Sequence, residues 1–347
     1  MQATLKTLAA VAFAAVSFAD PSHATPFKVE RVQFTSHGQT LVGQLYLPAG
    51  VSAATPGQAA VVTGAWMTVK EQMAGRYAAE LAERGIVALA FDFRGWGESG
   101  GQPRAMEDPR TKTEDIRAAA AFLATRPEVD RLRIGGLGIC ASAAYMAAAA
   151  ASTPTIRSVA LVAPWLHDRA IVDAVYGGEA GVKALIDVGR AAEARYRATG
   201  QATLVPAASS TERNAVMFDV PYYTERDRGL IPQWDNRFNV ASWEAWLTLD
   251  AMPIAPTLKA PLLIVHSEAA AIPQGARQFY AAVTSPKRQL WLDQVSQFDF
   301  YDRDPHVDRA ADAVARHFRD TAQPISTGDL APAVNAGSSR LASAVID

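Results

Sequence analysis

The sequence predicts a doubly wound α/β fold with a mostly parallel sheet and an inserted cap. Two observations predict it. Short apolar runs alternate with helical periods along most of the chain, and that alternation lapses between His167 and about Ala255. Most runs are too uniformly apolar for a sheet with one wet face, so we expect central parallel strands. The runs lie at 59–62, 86–91, 132–137, 158–163, 262–265 and 289–292.

Residues 27–47 precede these runs and alternate apolar with polar side chains around His37 and Gly38. Such alternation around a turn predicts an antiparallel hairpin at a sheet edge. Helices are predicted between the strands, where apolar residues recur every three or four positions. These residues are Met73, Tyr77 and Leu81, then Ile116, Ala120 and Leu123, and finally Val307, Ala310, Val314 and Phe318.

The interval 167–255 is predicted to be the cap, inserted after the sixth strand. It holds a charged helical stretch at 181–197, followed by an aromatic-rich one. Such aromatic residues either line a ligand pocket or pack a cap onto a sheet, and both roles stay open. Tyr223 and Trp234 are the candidates for substrate contact. The aromatic side chains of the second stretch are Tyr222, Tyr223, Trp234, Phe238, Trp243 and Trp246.

Length and charge exclude several classes of protein. The chain has 347 residues, is 49% hydrophobic and carries a formal net charge of −2. That length accommodates one main domain plus an insertion. The basic residues form no stripe, so neither nucleic acid nor an anionic membrane is expected as a partner. We expect a small-molecule substrate, and the oligomeric state stays open.

The first 24 residues predict an export signal that is cleaved after Ala24. Lys6 precedes an apolar run at 8–19, and small residues stand before the cleavage point. The run is too short to span a bilayer, so no stable membrane insertion is expected. The alternative is an irregular N-terminus. Export predicts a periplasmic or secreted protein, and small and polar residues at 321–347 predict a disordered tail.

Cys140 is the only cysteine, and it stands where an apolar strand runs into an alanine-rich helix. It therefore cannot form an internal disulfide. Gly138 and Ser142 flank it in the small-residue pattern of a nucleophile elbow, and the position at a helix N-terminus predicts a stabilised thiolate. The alternative is a buried small apolar residue. Ser142 is a second candidate nucleophile, although it lies two residues into the helix.

Four local motifs carry a family resemblance. They are GAW with VKEQ within 64–72, FDFRGWGESGG at 91–101, GICAS at 138–142 and FDFYD at 298–302. With these motifs the chain resembles the α/β-hydrolase superfamily, specifically its dienelactone-hydrolase-like branch with cysteine at the nucleophile position, over 27–318. The resemblance implies a sheet of the α/β-hydrolase type with core segments 25–166 and 256–320, and no cofactor.

The resemblance also implies an oxyanion hole made of backbone N–H groups. One comes from Ala141, directly after the nucleophile, and the other from Ala65 or Trp66 in the loop after the third strand. Trp66 itself is either a core aromatic residue or a wall of the substrate pocket.

Two expected catalytic positions depart from the family pattern. An acid normally follows the seventh strand and a histidine follows the eighth. Here the acid position falls at Ala270, and Glu268 is the nearest carboxylate. The histidine position falls at Gln297, whose amide cannot accept and return a proton near neutral pH.

The histidines leave the general base open. His306 follows the last strand and opens the final helix, so it is either the base or a solvated residue of the first helical turn. His167 and His266 are weaker candidates, and His317 is expected to be structural. The wide spacing of these histidines predicts no metal site.

The leading hypothesis is an exported enzyme that cleaves an ester, lactone or related acyl bond through Cys140 and the backbone N–H of Ala141. Acyl transfer is a close variant. The alternative is a catalytically silent protein of the same fold that binds a small apolar ligand, supported by Ala270 and Gln297.

Overall fold

The computed structural model describes residues 24–322. An eight-stranded sheet forms its centre. Its strands are β1 Phe27–Ser36, β2 Gln39–Pro48, β3 Gly57–Thr63, β4 Val87–Phe91, β5 Val129–Ile139, β6 Ser158–Val162, β7 Leu262–Ser267 and β8 Lys287–Leu292. Their order is β1-β2-β4-β3-β5-β6-β7-β8, antiparallel from β1 to β4 and parallel from there to β8. The predicted fold class is therefore confirmed.

The burial of each strand follows its place in the sheet. Every residue of β4 and β6 is buried, because helices cover both faces of the centre. β8 is different, since it pairs only with β7 and exposes Arg288 and Gln289. The prediction of a central strand at 289–292 is therefore wrong. The run starts at Lys287 and forms the far edge, where charged residues suit an exposed strand.

The predicted hairpin is confirmed as β1 and β2, which pair in register from Phe27 with Pro48 to Ser36 with Gln39. His37 and Gly38 form the turn with φ of 46° and 77°. Both values are positive, as a two-residue hairpin turn requires.

Helices flank the sheet on both faces. They are α1 Met73–Glu83, α2 Pro109–Thr125, α3 Ser142–Ser152, α4 Arg169–Val175, α5 Gly178–Thr199, α6 Pro221–Thr224, α7 Ser242–Leu247, α8 Pro273–Ala282, α9 Asp299–Asp302 and α10 Asp304–Thr321, with a 3-10 helix at Met252–Thr257. The apolar stripe predicted at α10 is buried against the sheet. Thr321, predicted to begin the tail, ends α10 and hydrogen-bonds to Ser158 (Oγ1 to Oγ, 2.7 Å).

The segment between β6 and β7 contains α4 to α7 and covers the C-terminal edge of the sheet. The charged stretch at 181–197 lies within α5. Two short strand pairs complete the segment, Leu204–Pro206 with Arg237–Asn239 and Ala208–Ser209 with Met217–Phe218. Within residues 24–322 no helix is long and apolar enough to cross a membrane. Residues 1–23, which hold nearly all of the predicted export signal, and the tail beyond 322 lie outside the described residues.

Candidate active site

The turn between β5 and α3 places Cys140 at the C-terminal edge of the sheet. Its φ is +57°, a left-handed conformation that is strained for a residue with a Cβ. Backbone hydrogen bonds fix both of its peptide groups, from Cys140 N to Val162 O (3.1 Å) and from Trp165 N to Cys140 O (2.9 Å). A Cβ on Gly138 would lie 2.8 Å from the carbonyl oxygen of Ser142, so only glycine lets the strand and helix meet here. The geometry is that of a nucleophile elbow.

Ser142, the second candidate nucleophile, is buried in a structural hydrogen-bond network. Its Oγ accepts from the backbone N–H of Ile139 (3.0 Å) and lies 3.0 Å from the carbonyl oxygen of Thr63. Ser142 does not line the cavity onto which Cys140 opens. The hydroxyl therefore ties α3 to β3 and β5.

Cys140 opens onto a cavity of about 740 Å³ between the sheet edge and the cap. None of the described residues that line this cavity carries a charge, and most are aromatic or aliphatic. Apart from the indoles of its tryptophans, its polar side chains are Cys140, Tyr176, Asn214, Tyr223, Gln297 and Tyr301. Such a wall suits a neutral, mainly apolar ligand, because a charged one would lose hydration without gaining a partner.

The sulfur of Cys140 faces hydrogen-bond donors. The hydroxyl of Tyr301, the backbone N–H groups of Ala141 and Trp66 and the amide of Gln297 all stabilise its ionised form. Burial acts in the opposite direction and is the largest effect, so the pKa of the Cys140 thiol lies above its ordinary value of 9.0. The expectation of a stabilised thiolate is therefore wrong for the free protein, because loss of hydration outweighs the four donors.

The loop after β3 contributes Trp66 rather than Ala65 to this arrangement. The N–H of Trp66 faces the sulfur, whereas the N–H of Ala65 points to Sδ of Met73 at 3.4 Å. Trp66 also lines the cavity and stacks on Trp246 with ring centroids 4.9 Å apart. It therefore combines the two roles that the sequence leaves open.

Gln297 lies in the cavity wall beside Cys140. Its Oε1 accepts from the backbone N–H of Ala271 (3.0 Å), and its Nε2 donates to the carbonyl oxygen of Ala163 (2.9 Å) and to the hydroxyl of Tyr301 (3.1 Å). The two backbone partners determine the orientation of the amide, because a backbone N–H requires the oxygen and a carbonyl requires the NH₂ group. Gln297 therefore presents only N–H groups to the site.

Tyr301 is a site residue that the sequence analysis missed. It lies in α9, four residues after Gln297 and within the FDFYD motif, which was the available signal. Asp302, the next residue, forms a bidentate ion pair with Arg228 of the cap (2.6 and 2.7 Å), and this pair anchors α9. Burial holds the pKa of Tyr301 well above its usual value of 10.0, so the phenol is protonated at neutral pH.

The predicted acid and base lie elsewhere. Glu268 is exposed and pairs with Arg277 at the surface. His306 lies in the first turn of α10. Neither residue lines the cavity, so the structure does not bring them to Cys140. The reason is the turn after β7, where Ala271, and not Glu268, contacts Gln297.

The other histidines considered as bases are buried away from the sulfur. His167 accepts a hydrogen bond from the indole of Trp165 (Nε1 to Nδ1, 2.9 Å), and His266 packs edge-on against Trp291 with centroids 5.2 Å apart. Burial lowers the pKa of each to about 4. Within the described residues, no imidazole lines the cavity and no cluster of three or more metal-ligating side chains occurs.

The two substrate-contact candidates in the cap differ. Tyr223 lines the cavity. Trp234 does not, because its indole N–H donates to the carbonyl oxygen of Met67 (2.6 Å) and its ring packs behind Tyr223, with centroids 5.5 Å apart. Trp234 therefore secures the loop that carries Trp66 and supports the wall from outside.

The fold and the elbow together define an α/β hydrolase. A family model described as "Serine aminopeptidase, S33" matches residues 67–295, and the chain belongs to that family. The description names a serine enzyme, whereas the elbow here carries Cys140.

Three relatives place the chain more closely. An uncharacterized protein of Pseudomonas aeruginosa is 34% identical over 292 residues, which cover 80% of this chain and 77% of the relative. A thiohydrolase of Aspergillus aculeatus is 26% identical over 277 residues, 75% of this chain and 83% of its own. A polyketide transferase of Penicillium crustosum is 38% identical over 123 residues, 35% of this chain and 40% of its own. These names support hydrolysis or acyl transfer.

Solved structures agree with the fold. The crystal structure of the Pseudomonas aeruginosa protein matches with a TM-score of 0.74 and 28% identity, over 86% of this chain and 95% of that one. A dienelactone hydrolase from Anabaena variabilis matches with a TM-score of 0.53 and 12% identity, over 86% of this chain and 99% of that one, which shows a shared fold alone. The resemblance to α/β hydrolases is confirmed.

Proposed function

We propose that this α/β hydrolase transfers or hydrolyses neutral, apolar acyl groups through a covalent intermediate on Cys140, and that it does so after export from the cytoplasm. The arrangement around the sulfur of Cys140 carries the proposal. The sulfur lies at a strained elbow, opens onto an uncharged cavity, and is faced by two backbone N–H groups.

The chemistry begins with attack of the sulfur on the carbonyl carbon of an ester, lactone or thioester. A carbon–sulfur bond forms, the bond to the leaving group breaks, and the thiol proton ends on the leaving group. The N–H groups of Ala141 and Trp66 would accept the oxyanion, a contribution of about 10²–10³ in rate for each such donor. Water or another nucleophile then releases the acyl group.

The missing imidazole limits the choice of substrate. Amide cleavage needs strong general-acid assistance to the leaving amine, and Gln297 cannot provide it. Activated acyl donors such as thioesters and aryl esters need less. The names thiohydrolase and polyketide transferase among the relatives support the same choice. They also favour an enzyme over the alternative of a silent binder.

The test uses the full chain with p-nitrophenyl acetate and with an acetyl thioester. Cys140→Ala is expected to abolish turnover, and intact-mass analysis of the unmodified protein is expected to find one acetyl group, localised by peptide mapping to Cys140. Cys140→Ser, which keeps an oxygen nucleophile at the elbow, serves as the matched control and is expected to retain trace activity. Unchanged turnover in Cys140→Ala would overturn the proposal.

A further inference from the structure

Attack by Cys140 releases a proton, and neither the sulfur nor Gln297 can carry it to the leaving group. The thiol is protonated in the free protein, and Gln297 presents only N–H groups. A titratable oxygen or nitrogen must therefore carry the proton, or the leaving group must take it directly. Besides Cys140 itself, the titratable side chains among the described residues of the cavity wall are Tyr176, Tyr223 and Tyr301.

The hydroxyl of Tyr301 faces the sulfur of Cys140 and stabilises its ionised form. The hydroxyl of Tyr176 instead accepts a hydrogen bond from the indole of Trp246 (2.7 Å), and the hydroxyl of Tyr223 faces that of Tyr301. A phenolic hydroxyl can accept one proton while it donates its own, because it is both donor and acceptor and its hydrogen rotates about the C–O bond.

The surroundings of Tyr301 hold its oxygen in place, while its hydrogen can turn towards the sulfur of Cys140 or the hydroxyl of Tyr223. Gln297 Nε2 donates to the phenolic oxygen at 3.1 Å, which occupies one lone pair. The ring is wedged edge-on between Tyr222 and Phe298, with centroids 5.0 and 5.6 Å away. Since backbone groups fix the amide of Gln297, the phenol is oriented through a rigid chain of contacts.

We propose that Tyr301 is a catalytic residue that relays the proton from the sulfur of Cys140 to the leaving group, with Gln297 as its positioning residue. This inference rests on the proposed function. As the carbon–sulfur bond forms, the S–H proton passes to the free lone pair of the Tyr301 oxygen. The hydroxyl proton passes to the leaving atom as its bond to carbon breaks. Tyr301 is neutral before and after the step, and no oxidant or co-reactant is needed.

The relay is concerted, because a free tyrosinate would be costly in this buried site. The proton therefore moves through the oxygen without leaving a charge behind. The assistance matters most for leaving groups that are poor without a proton, such as alkoxides, less for alkyl thiolates, and least for p-nitrophenolate.

The experiment compares Tyr301→Phe with the unmodified protein on p-nitrophenyl, phenyl and ethyl acetate and on an ethyl thioester. We expect kcat/KM to fall less than about 3-fold for the p-nitrophenyl ester and about 100-fold for ethyl acetate, the size of a lost general acid, with phenyl acetate and the ethyl thioester in between. The dependence of rate on leaving-group basicity should steepen accordingly. Gln297→Ala should steepen it less, because it releases the phenol without removing it.

Tyr77→Phe is the matched control, since it removes another buried hydroxyl, one that donates to the backbone of α9 at Phe300 (2.8 Å). It is expected to leave the leaving-group dependence unchanged. If Tyr301→Phe lowers the rates of all substrates by the same factor, the hydroxyl only supports packing and the relay is overturned. Failure of the proposed function would give a different result, because turnover would then survive in Cys140→Ala.

Discussion

The carboxylate of Glu107 accepts a hydrogen bond from the backbone N–H of Met67 at 3.1 Å. Met67 follows Trp66 and has a φ of +62°, a strained conformation that needs outside support. The same carboxylate binds the ammonium of Lys112 (2.7 Å) and the hydroxyl of Tyr145 (3.0 Å), and all three side chains are buried. A buried polar cluster thus holds the loop whose N–H faces the sulfur.

Glu107→Ala is expected to lower the free energy of unfolding by about 3–5 kcal/mol, because it leaves the Lys112 ammonium buried without its anion. Urea unfolding measures the change. The double variant Glu107→Gln/Lys112→Met should recover part of the loss, since it removes the stranded charge. Lys183→Ala breaks an exposed pair with Asp187 and should cost less than about 0.5 kcal/mol. A loss for Glu107→Ala as small as that of Lys183→Ala would contradict the argument.

Alkylation of Cys140 by iodoacetamide should be slow at neutral pH and should rise about tenfold per pH unit up to pH 9, without a plateau. The reason is that burial places the pKa of this thiol above 9.0, so the reactive thiolate stays a minor species over that range. A small free thiol in the same buffer is the control, and its rate should level off near its pKa of about 8.5. A plateau for Cys140 below pH 8 would show that the four donors outweigh burial.

Acid should destabilise the protein steeply between about pH 6.5 and pH 4. Burial lowers the pKa of His167, His266 and His317 from 6.5 to about 4 in the folded state. The unfolded chain therefore binds protons below pH 6.5 that the folded chain refuses, so stability present above that pH is lost as the pH falls. Each histidine contributes about 1.4 kcal/mol per pH unit at most.

The measurement is the free energy of unfolding across that pH range. His317→Gln removes one of the groups that takes up a proton on unfolding. The slope of the unfolding free energy against pH should therefore fall by about 1.4 kcal/mol per pH unit. Equal slopes for His317→Gln and the unmodified protein would rule out this cause of the acid sensitivity.

The double variant Ala270→Asp/Gln297→His supplies an acid and an imidazole at the positions where the resemblance expects them. We expect hydrolysis of the acetyl-enzyme to accelerate about 100-fold, because an imidazole can activate the attacking water. Single-turnover mass spectrometry follows the loss of the acetyl group. Gln297→Leu, which offers neither donor nor base, is the control. A double variant no faster than the unmodified protein would mean that deacylation is limited by something other than the base.

Export predicts a mature chain that begins at Thr25. Expression of the full sequence in a Gram-negative host, followed by fractionation and intact-mass analysis, should find the periplasmic form shortened by residues 1–24. Lys6→Glu, which reverses the charge before the apolar run, should reduce export. Recovery of the uncleaved chain from the cytoplasm alone would contradict the prediction.

The scaffold and the elbow were predictable because they depend on local patterns. Uniform apolar runs mark central strands, and the small residues around Cys140 mark a turn that larger side chains cannot make. β8 was misplaced because an apolar run does not reveal how many neighbours a strand has. Glu268 and His306 were chosen because they lie close in sequence to the expected acid and histidine positions. Closeness in sequence does not determine where a side chain points after a strand, and neither residue reaches the cavity.

The sequence by itself determined the order of strands and helices, the sharp turn that presents one sulfur atom, and the absence of a base at Gln297, because each depends on residue type within a short segment. Only the tertiary structure decided what surrounds that sulfur. Trp66 comes from the loop after β3, whereas Gln297 and Tyr301 come from the segment after β8, and their meeting at Cys140 depends on how the sheet and cap pack. The same packing keeps Cys140 protonated, because the fold determines how deeply the thiol is buried and burial raises its pKa.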